Sequence, residues 1–181
     1  MLFRSLKQVV GGDFIVGTGP SSITISPSGQ FAFVGYQTSS STAAVGVSAF
    51  AIDGYTGVLN PVGGSPFSLG ITLPSLSIHP SGRFLYGAGY TSNSVAAASV
   101  STTGVLSPVA GSPLTALSLP LAISTEPSGK FVYATSGVAS SNNIFAYTVD
   151  ASTGALSPVS GSPFTFGGMG PASIAVWGAP Q

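Results

Sequence analysis

Three copies of one segment constrain what this chain can fold into more than any other feature. They read Gly57-Val-Leu-Asn-Pro-Val-Gly-Gly-Ser-Pro-Phe67, Gly104-Val-Leu-Ser-Pro-Val-Ala-Gly-Ser-Pro-Leu114 and Gly154-Ala-Leu-Ser-Pro-Val-Ser-Gly-Ser-Pro-Phe164, in steps of 47 and 50 residues. Ahead of each lies a second recurring segment, fullest at Pro74-Ser-Leu-Ser-Ile-His-Pro-Ser-Gly-Arg-Phe-Leu-Tyr86. Versions of it stand at Pro20–Val34 and Pro120–Tyr133, and its first half returns at Pro171–Trp177. A period of about 40–50 residues belongs to architectures in which one supersecondary unit stacks on copies of itself.

Within a unit the pattern is that of short strands. Ser22–Ser26 alternates apolar and polar residues, Pro27-Ser28-Gly29 turns the chain, and Phe31–Val34 returns. Proline presets φ for the first turn position, and glycine takes the positive φ that a three-residue hairpin with a bulge requires. A third strand, Val45–Ile52, leads to the turn Asp53–Gly57, where the Asp side chain can accept from nearby backbone N–H groups. The fourth strand, Val58–Val62, contains a proline that cannot donate to a ladder, so it belongs at a sheet edge. No capped apolar pattern of helical period persists.

Four antiparallel strands per unit predict an all-β chain of β-propeller blades, a partial propeller of about three blades plus flanking single strands. A β-solenoid competes less well, because its coils are shorter and need no tight hairpin. The expected division is 1–19, a frayed start and the last strand of a preceding blade; 20–73, 74–119 and 120–170, three blades; and 171–181, the first strand of a further blade and the C-terminal end.

Composition narrows the classes of function. Apolar residues make up 44% and charged residues 4%, with four basic and four acidic side chains. Such a chain has a core to bury and no electrostatic footprint for nucleic acid or an anionic membrane surface. No apolar run approaches the roughly 18–20 residues of a spanning helix. Met1–Lys7 has the basic character of a signal n-region, but Gly11-Gly12-Asp13 cuts off any h-region. Low charge with heavy Ser, Thr and Gly use suits an extracytoplasmic protein, periplasmic or secreted. One histidine and no cysteine cannot build a zinc site, and four scattered acids offer no calcium loop, so neither metal nor cofactor is expected.

The repeats resemble the β-propeller lactonase family, the group related to 6-phosphogluconolactonase of the seven-bladed type. The likeness rests on Ile78-His-Pro-Ser-Gly-Arg-Phe-Leu-Tyr86, on Tyr147-Thr-Val-Asp-Ala-Ser-Thr-Gly-Ala-Leu156 and on the Pro-Val-x-Gly-Ser-Pro-Phe exits, and covers about residues 10–177. A complete member has seven blades, so the resemblance implies either part of a longer propeller or open ends that self-associate with another copy. It also implies a small-molecule or carbohydrate-like ligand, and for the enzymes of the family, lactone hydrolysis.

The repeat register sorts the polar residues. Asp53 and Asp150 share one turn position and Arg83 and Lys130 another, which favours architectural roles. The residue before the turn proline varies instead: Ser26, His79, Glu126 and, by register, Trp177. His79 and Glu126, the chain's only histidine and glutamate, end first strands that line the channel in propellers. A lactonase needs a base to activate water and a donor for the oxyanion. His79 with Glu126 would supply the first, and backbone N–H groups or Arg83 the second. The alternative is that both side chains simply cap the amides of their own turns. The loops Gly35–Ala44, Gly87–Asn93 and Ala134–Asn142 carry no acidic residue to complete the family's site. Two readings follow: a non-catalytic binding or structural module, and part of a lactone hydrolase with its site in the central channel.

Overall fold

The computed structural model describes residues 16, 19–36, 46–115, 118–136, 143–165, 167 and 171–176. Three antiparallel sheets succeed one another along the chain. The first holds β1 (Pro20–Ile25), β2 (Phe31–Tyr36), β3 (Gly46–Ile52), β4 (Leu59–Pro61) and β5 (Phe67–Ser68). The second holds β6 (Ser75–Ile78), β7 (Phe84–Gly89), β8 (Ser94–Val100), β9 (Leu106–Pro108) and β10 (Leu114–Thr115). The third holds β11 (Pro120–Thr125), β12 (Phe131–Ser136), β13 (Asn143–Val149), β14 (Leu156–Pro158) and β15 (Phe164–Thr165). Each sheet is a propeller blade, built by the same meander from an inner strand outward.

The hairpins form where the proline–serine–glycine turns place them. Ser26 and Phe31 close the first through a 2.8 Å backbone bond around Pro27–Gln30, and Gly29 sits at φ 71°. Pro61 lies in the edge strand β4, paired with Phe50, as its missing donor requires.

The outer edge is more elaborate than the pattern of strands shows. In each blade the third strand pairs first with one short segment and then, beyond a Gly-Ser-Pro corner, with a second: β3 with β4 and β5, β8 with β9 and β10, β13 with β14 and β15. The corner contains a cis Ser–Pro peptide bond in every copy. At the break the serine hydroxyl takes the place of a ladder carbonyl. Ala49, Ala97 and Ala146 donate their N–H groups to Ser65, Ser112 and Ser162 Oγ at 2.9, 2.8 and 3.0 Å. The carbonyls of the same alanines accept from Val62, Val109 and Val159 at 2.9, 3.0 and 2.9 Å. The repeated Gly-Ser-Pro is thus a backbone-satisfying device, and no buried amide is orphaned there.

Both faces of the middle blade are covered. Leu76, Leu85, Ala96 and Ala98 pack with Phe33, Val47 and Ala49 of the first blade, beneath Leu69, Ile71 and Leu73 of the connection. On the other face Phe84, Tyr86, Val95 and Ala97 pack with Val132, Ala134, Phe145 and Tyr147 of the third. The alanines opposite aromatic rings explain how sheets with so many small residues still fill their seams. Residues 171–176 have a strand's alternation, but no partner strand for them lies among the described residues, and they carry no ladder. Trp177, and most of residues 1–19, lie outside the described residues.

Candidate functional site

The hairpin tips carry the polar residues that the repeat register singles out. Each of the three aligned side chains caps its own turn. Ser26 Oγ accepts from the Phe31 N–H at 3.0 Å and lies 3.1 Å from Ser28 Oγ. His79 Nδ1 accepts from the Ser81 N–H at 3.0 Å and lies 2.7 Å from Ser81 Oγ. Glu126 accepts from the Ser128 N–H at 3.0 Å, from the Lys130 N–H at 2.9 Å and from the Ser128 hydroxyl. Three different residue types do one job because each offers an acceptor at the reach of the turn amides.

Among the three, His79 does one thing more. A backbone N–H can only donate, so Nδ1 must be the acceptor and Nε2 carries the proton of the neutral ring. Nε2 lies 2.9 Å from the Gly129 carbonyl oxygen, in the turn of the next blade. The ring is 8% exposed and meets Phe84 edge to face at 5.8 Å between centroids. A Cβ on Gly129 would fall 2.3 Å from Nε2, so the glycine is what lets the imidazole come this close. His79 is a bridge between the second and third blades.

Glu126 sits in the turn that receives this bridge. Its partial burial would raise its pKa, but the hydroxyl and amide bonds from Ser128 and the amides of Lys130 and Phe131 outweigh that and hold the carboxyl below the usual range. A carboxylate held as the anion by its own turn is a weaker proton acceptor. The structure therefore brings His79 to the turn of Glu126 while both side chains are bonded within the architecture. Arg83 is placed apart from them. It is exposed, its guanidinium carbon lies 5.4 Å from the centre of the Phe84 ring, and it lines a cleft of about 230 Å³ between the first and second hairpins, with Ser28, Gln30 and Thr102. Among the described residues no group of three His, Asp or Glu side chains converges on a metal site.

Bonds that the repeat register did not reveal lace the inner strands. The Ile123 and Thr125 N–H groups of β11 donate to Ser75 and Ser77 Oγ of β6 at 3.2 and 2.9 Å. An inner strand has unpaired amides on its channel side, and a serine at every second position of the preceding strand satisfies them. Their only sequence signal is the alternation Ser75-Leu-Ser77, which also reads as an ordinary strand.

The chain's likeness to known proteins agrees with this geometry. Residues 9–113, more than half of the chain, match the family described as lactonase, 7-bladed beta-propeller, and the chain belongs to that family. Among solved structures, it is similar to a candidate 6-phosphogluconolactonase from Bacteroides fragilis, with 22% identity and a TM-score of 0.75 over 94% of this chain and 46% of that one. A periplasmic gluconolactonase from Pseudomonas aeruginosa matches at 22% identity and TM-score 0.62, over 81% of this chain and 41% of its own. An auxiliary nutrient binding protein from Bacteroides thetaiotaomicron matches at 16% and 0.55, over 82% and 32%. The chain thus spans less than half the length of these structures. Among curated proteins none matches it in sequence.

Proposed function

We propose that this part of a lactonase-family propeller acts as a non-catalytic binding or structural module rather than as the hydrolytic centre. One observation carries the reading: the imidazole and the carboxylate that would have to move protons are each engaged by the amides of their own turns, and the second imidazole nitrogen is held by the Gly129 carbonyl. A base for water needs a free lone pair aimed at solvent. The His79 lone pair points at a turn amide instead. The ligand expected is a small, uncharged, carbohydrate-like molecule, taken by hydroxyl and amide groups of the hairpin rim; the low charge of the chain supports this. An extracytoplasmic location fits the same composition and the periplasmic gluconolactonase among its structural neighbours.

The family supplies the alternative, part of a hydrolase of sugar lactones. Gluconolactone hydrolysis by the purified chain separates the two. We expect no turnover above the spontaneous rate, together with a melting-temperature rise in the presence of a neutral sugar and none with the corresponding sugar acid. Turnover that disappears in Glu126→Gln or His79→Gln, with the β-sheet spectrum intact, would overturn the proposal.

A further inference from the structure

The two seams inside the chain differ at the hairpin tips, in what fills the space over the next blade's turn glycine. In the second seam His79 takes that space, and a Cβ on Gly129 would lie 2.3 Å from its Nε2. In the first seam Ser26 stands in the place of His79, and Gly82, at φ 71°, in the place of Gly129, at φ 76°. The serine stops short. The nearest atom to a Cβ on Gly82 is Pro27 Cδ, at 3.5 Å. The room that the imidazole fills in one seam is, in the other, the cleft of about 230 Å³ between the first two hairpins.

The cleft has an apolar floor and a polar rim. Phe31 and Val100, both half-buried, form the floor. The second blade fixes the Phe31 ring there, since a Cβ on Gly104 would lie 2.6 Å from its Cδ1. Exposed Ser28, Gln30, Arg83 and Thr102 form the rim. The Ser26, Ser28 and Ser81 hydroxyls serve their own turns, accepting from the Phe31, Gln30 and Arg83 N–H groups at 3.0, 3.4 and 3.3 Å. The Gln30 amide and the Arg83 guanidinium have no hydrogen-bond or ion-pair partner among the described residues. Gln30 thus offers both donors and an acceptor, and Arg83 a planar set of donors beside the Phe84 ring.

We infer that this cleft binds one neutral sugar ring, with a C–H face on Phe31 and Val100 and its hydroxyls on Gln30, Arg83 and Thr102. This rests on the reading of the chain as a binding module, and it names where the ligand of that module sits. A pyranose has apolar faces and a hydroxylated edge, which match an apolar floor inside a rim of donors and acceptors. The volume lies below the roughly 300–1,000 Å³ of sites for drug-sized ligands, so it suits one ring rather than a chain of them. Charge is not the main attraction. Arg83 is the one charged residue on the cleft, and an exposed ion pair adds little in water. An open-chain sugar acid has lost the flat C–H face, and a carboxylate on Arg83 does not make up for it.

Proton–nitrogen spectra of the labelled chain, titrated with D-glucose, D-galactose and D-gluconate, test this. We expect one of the two neutral sugars to shift the amides of Ser28, Gln30, Gly82, Arg83 and Thr102, and gluconate to leave them unmoved. Ser26→His sets the second seam's imidazole into the cleft while keeping a turn cap, and should weaken binding by about tenfold or more, as several hydrogen bonds are lost together. Should that variant not fold, the exposed changes Gln30→Ala and Arg83→Ala decide, each weakening binding by about two- to tenfold for one net hydrogen bond. Lys130→Ala, at the matching place in the third hairpin, should change nothing. Sugar binding that survives Ser26→His, Gln30→Ala and Arg83→Ala, or shifts centred on the third hairpin, would overturn the cleft and leave the binding-module reading standing. No shift with either neutral sugar would overturn both.

Discussion

The seam between the first and second blades and the seam between the second and third have the same backbone and different chemistry. The first is largely apolar: Phe31 on Gly104, Phe33 buried among Val47, Leu85 and Ala98, and a roof of Leu69, Ile71 and Leu73, with the Ser21 hydroxyl donating to the Pro74 carbonyl at 3.0 Å at its inner edge. The second adds a polar layer: His79 to Gly129, Tyr86 to Gly154, and Ser75 and Ser77 to the amides of β11. Few substitutions make the difference. Ser26 stands where His79 stands and is too short to reach the next turn, and Phe33 stands where Tyr86 stands and has no hydroxyl. Ser22, the counterpart of Ser75, has a buried hydroxyl with no hydrogen-bond partner among the described residues. The conspicuous polar residues of this chain are concentrated in one seam, and there they hold blades together.

The largest effect should come from the ring both seams share in kind. Phe84→Ala empties the space against Gly154, and a buried Phe→Ala change costs roughly 3–5 kcal/mol. An unfolding free energy from urea titration lowered by less than about 1 kcal/mol would mean that the second seam does not depend on its aromatic plug. Next comes His79→Ala. It leaves the buried Gly129 carbonyl and the Ser81 amide without their partner, and a loss of about 1–3 kcal/mol is expected. Ser26→Ala in the first seam, which removes only the turn cap, should cost less. Equal costs for the two would dissolve the distinction between the seams.

A smaller change sharpens the comparison from the other side. Tyr86→Phe makes the second seam resemble the first and should cost about 0.5–1.5 kcal/mol, since one net hydrogen bond is lost. Burial pushes the Tyr86 hydroxyl well above its ordinary pKa, in keeping with a proton held by the Gly154 carbonyl. Thermal melts of this variant that match the parent would show that the hydroxyl adds nothing.

The subtlest prediction concerns the outer turns. Asp150 is held down at about 2 by the Ser152 hydroxyl first, then by the amides of Thr153 and Ser152, while Asp53 is lowered mainly by Thr56. A carboxyl whose folded pKa lies below its unfolded value stabilises the fold above about pH 4, and that contribution fades as pH falls toward 2. The second blade has Ser101 there, accepting from the Thr103 and Val105 amides at 3.2 and 3.0 Å without any charge to lose. Asp150→Ser should therefore flatten the acid limb of the melting curve between about pH 4 and pH 2, and an unchanged limb would contradict this.

Much of this fold was legible in the residues because turns depend on local chemistry. Pro-Ser-Gly marks each hairpin, and the proline of the fourth strand puts that strand at the edge. The Gly-Ser-Pro corner was legible as a repeat but not as a hydrogen-bonding device, because its serine acts on an alanine 15 or 16 residues back. The same limit held at the hairpin tips. Register brought His79 and Glu126 to notice, and the turn capping follows from neighbours two residues away. The bridge from His79 to Gly129 spans 50 residues, and nothing local signals it.

His79 is a fixed bridge between blades, and its ring reports on this directly. It is the only histidine in the chain, so a nitrogen-15 spectrum of the histidine-labelled protein shows this ring alone. A bridging ring shows one tautomer of the neutral form, with Nδ1 bare and a proton on Nε2 that exchanges slowly with water. Two tautomers in rapid average, with a freely exchanging proton, would contradict it and return the imidazole to the list of groups available for chemistry.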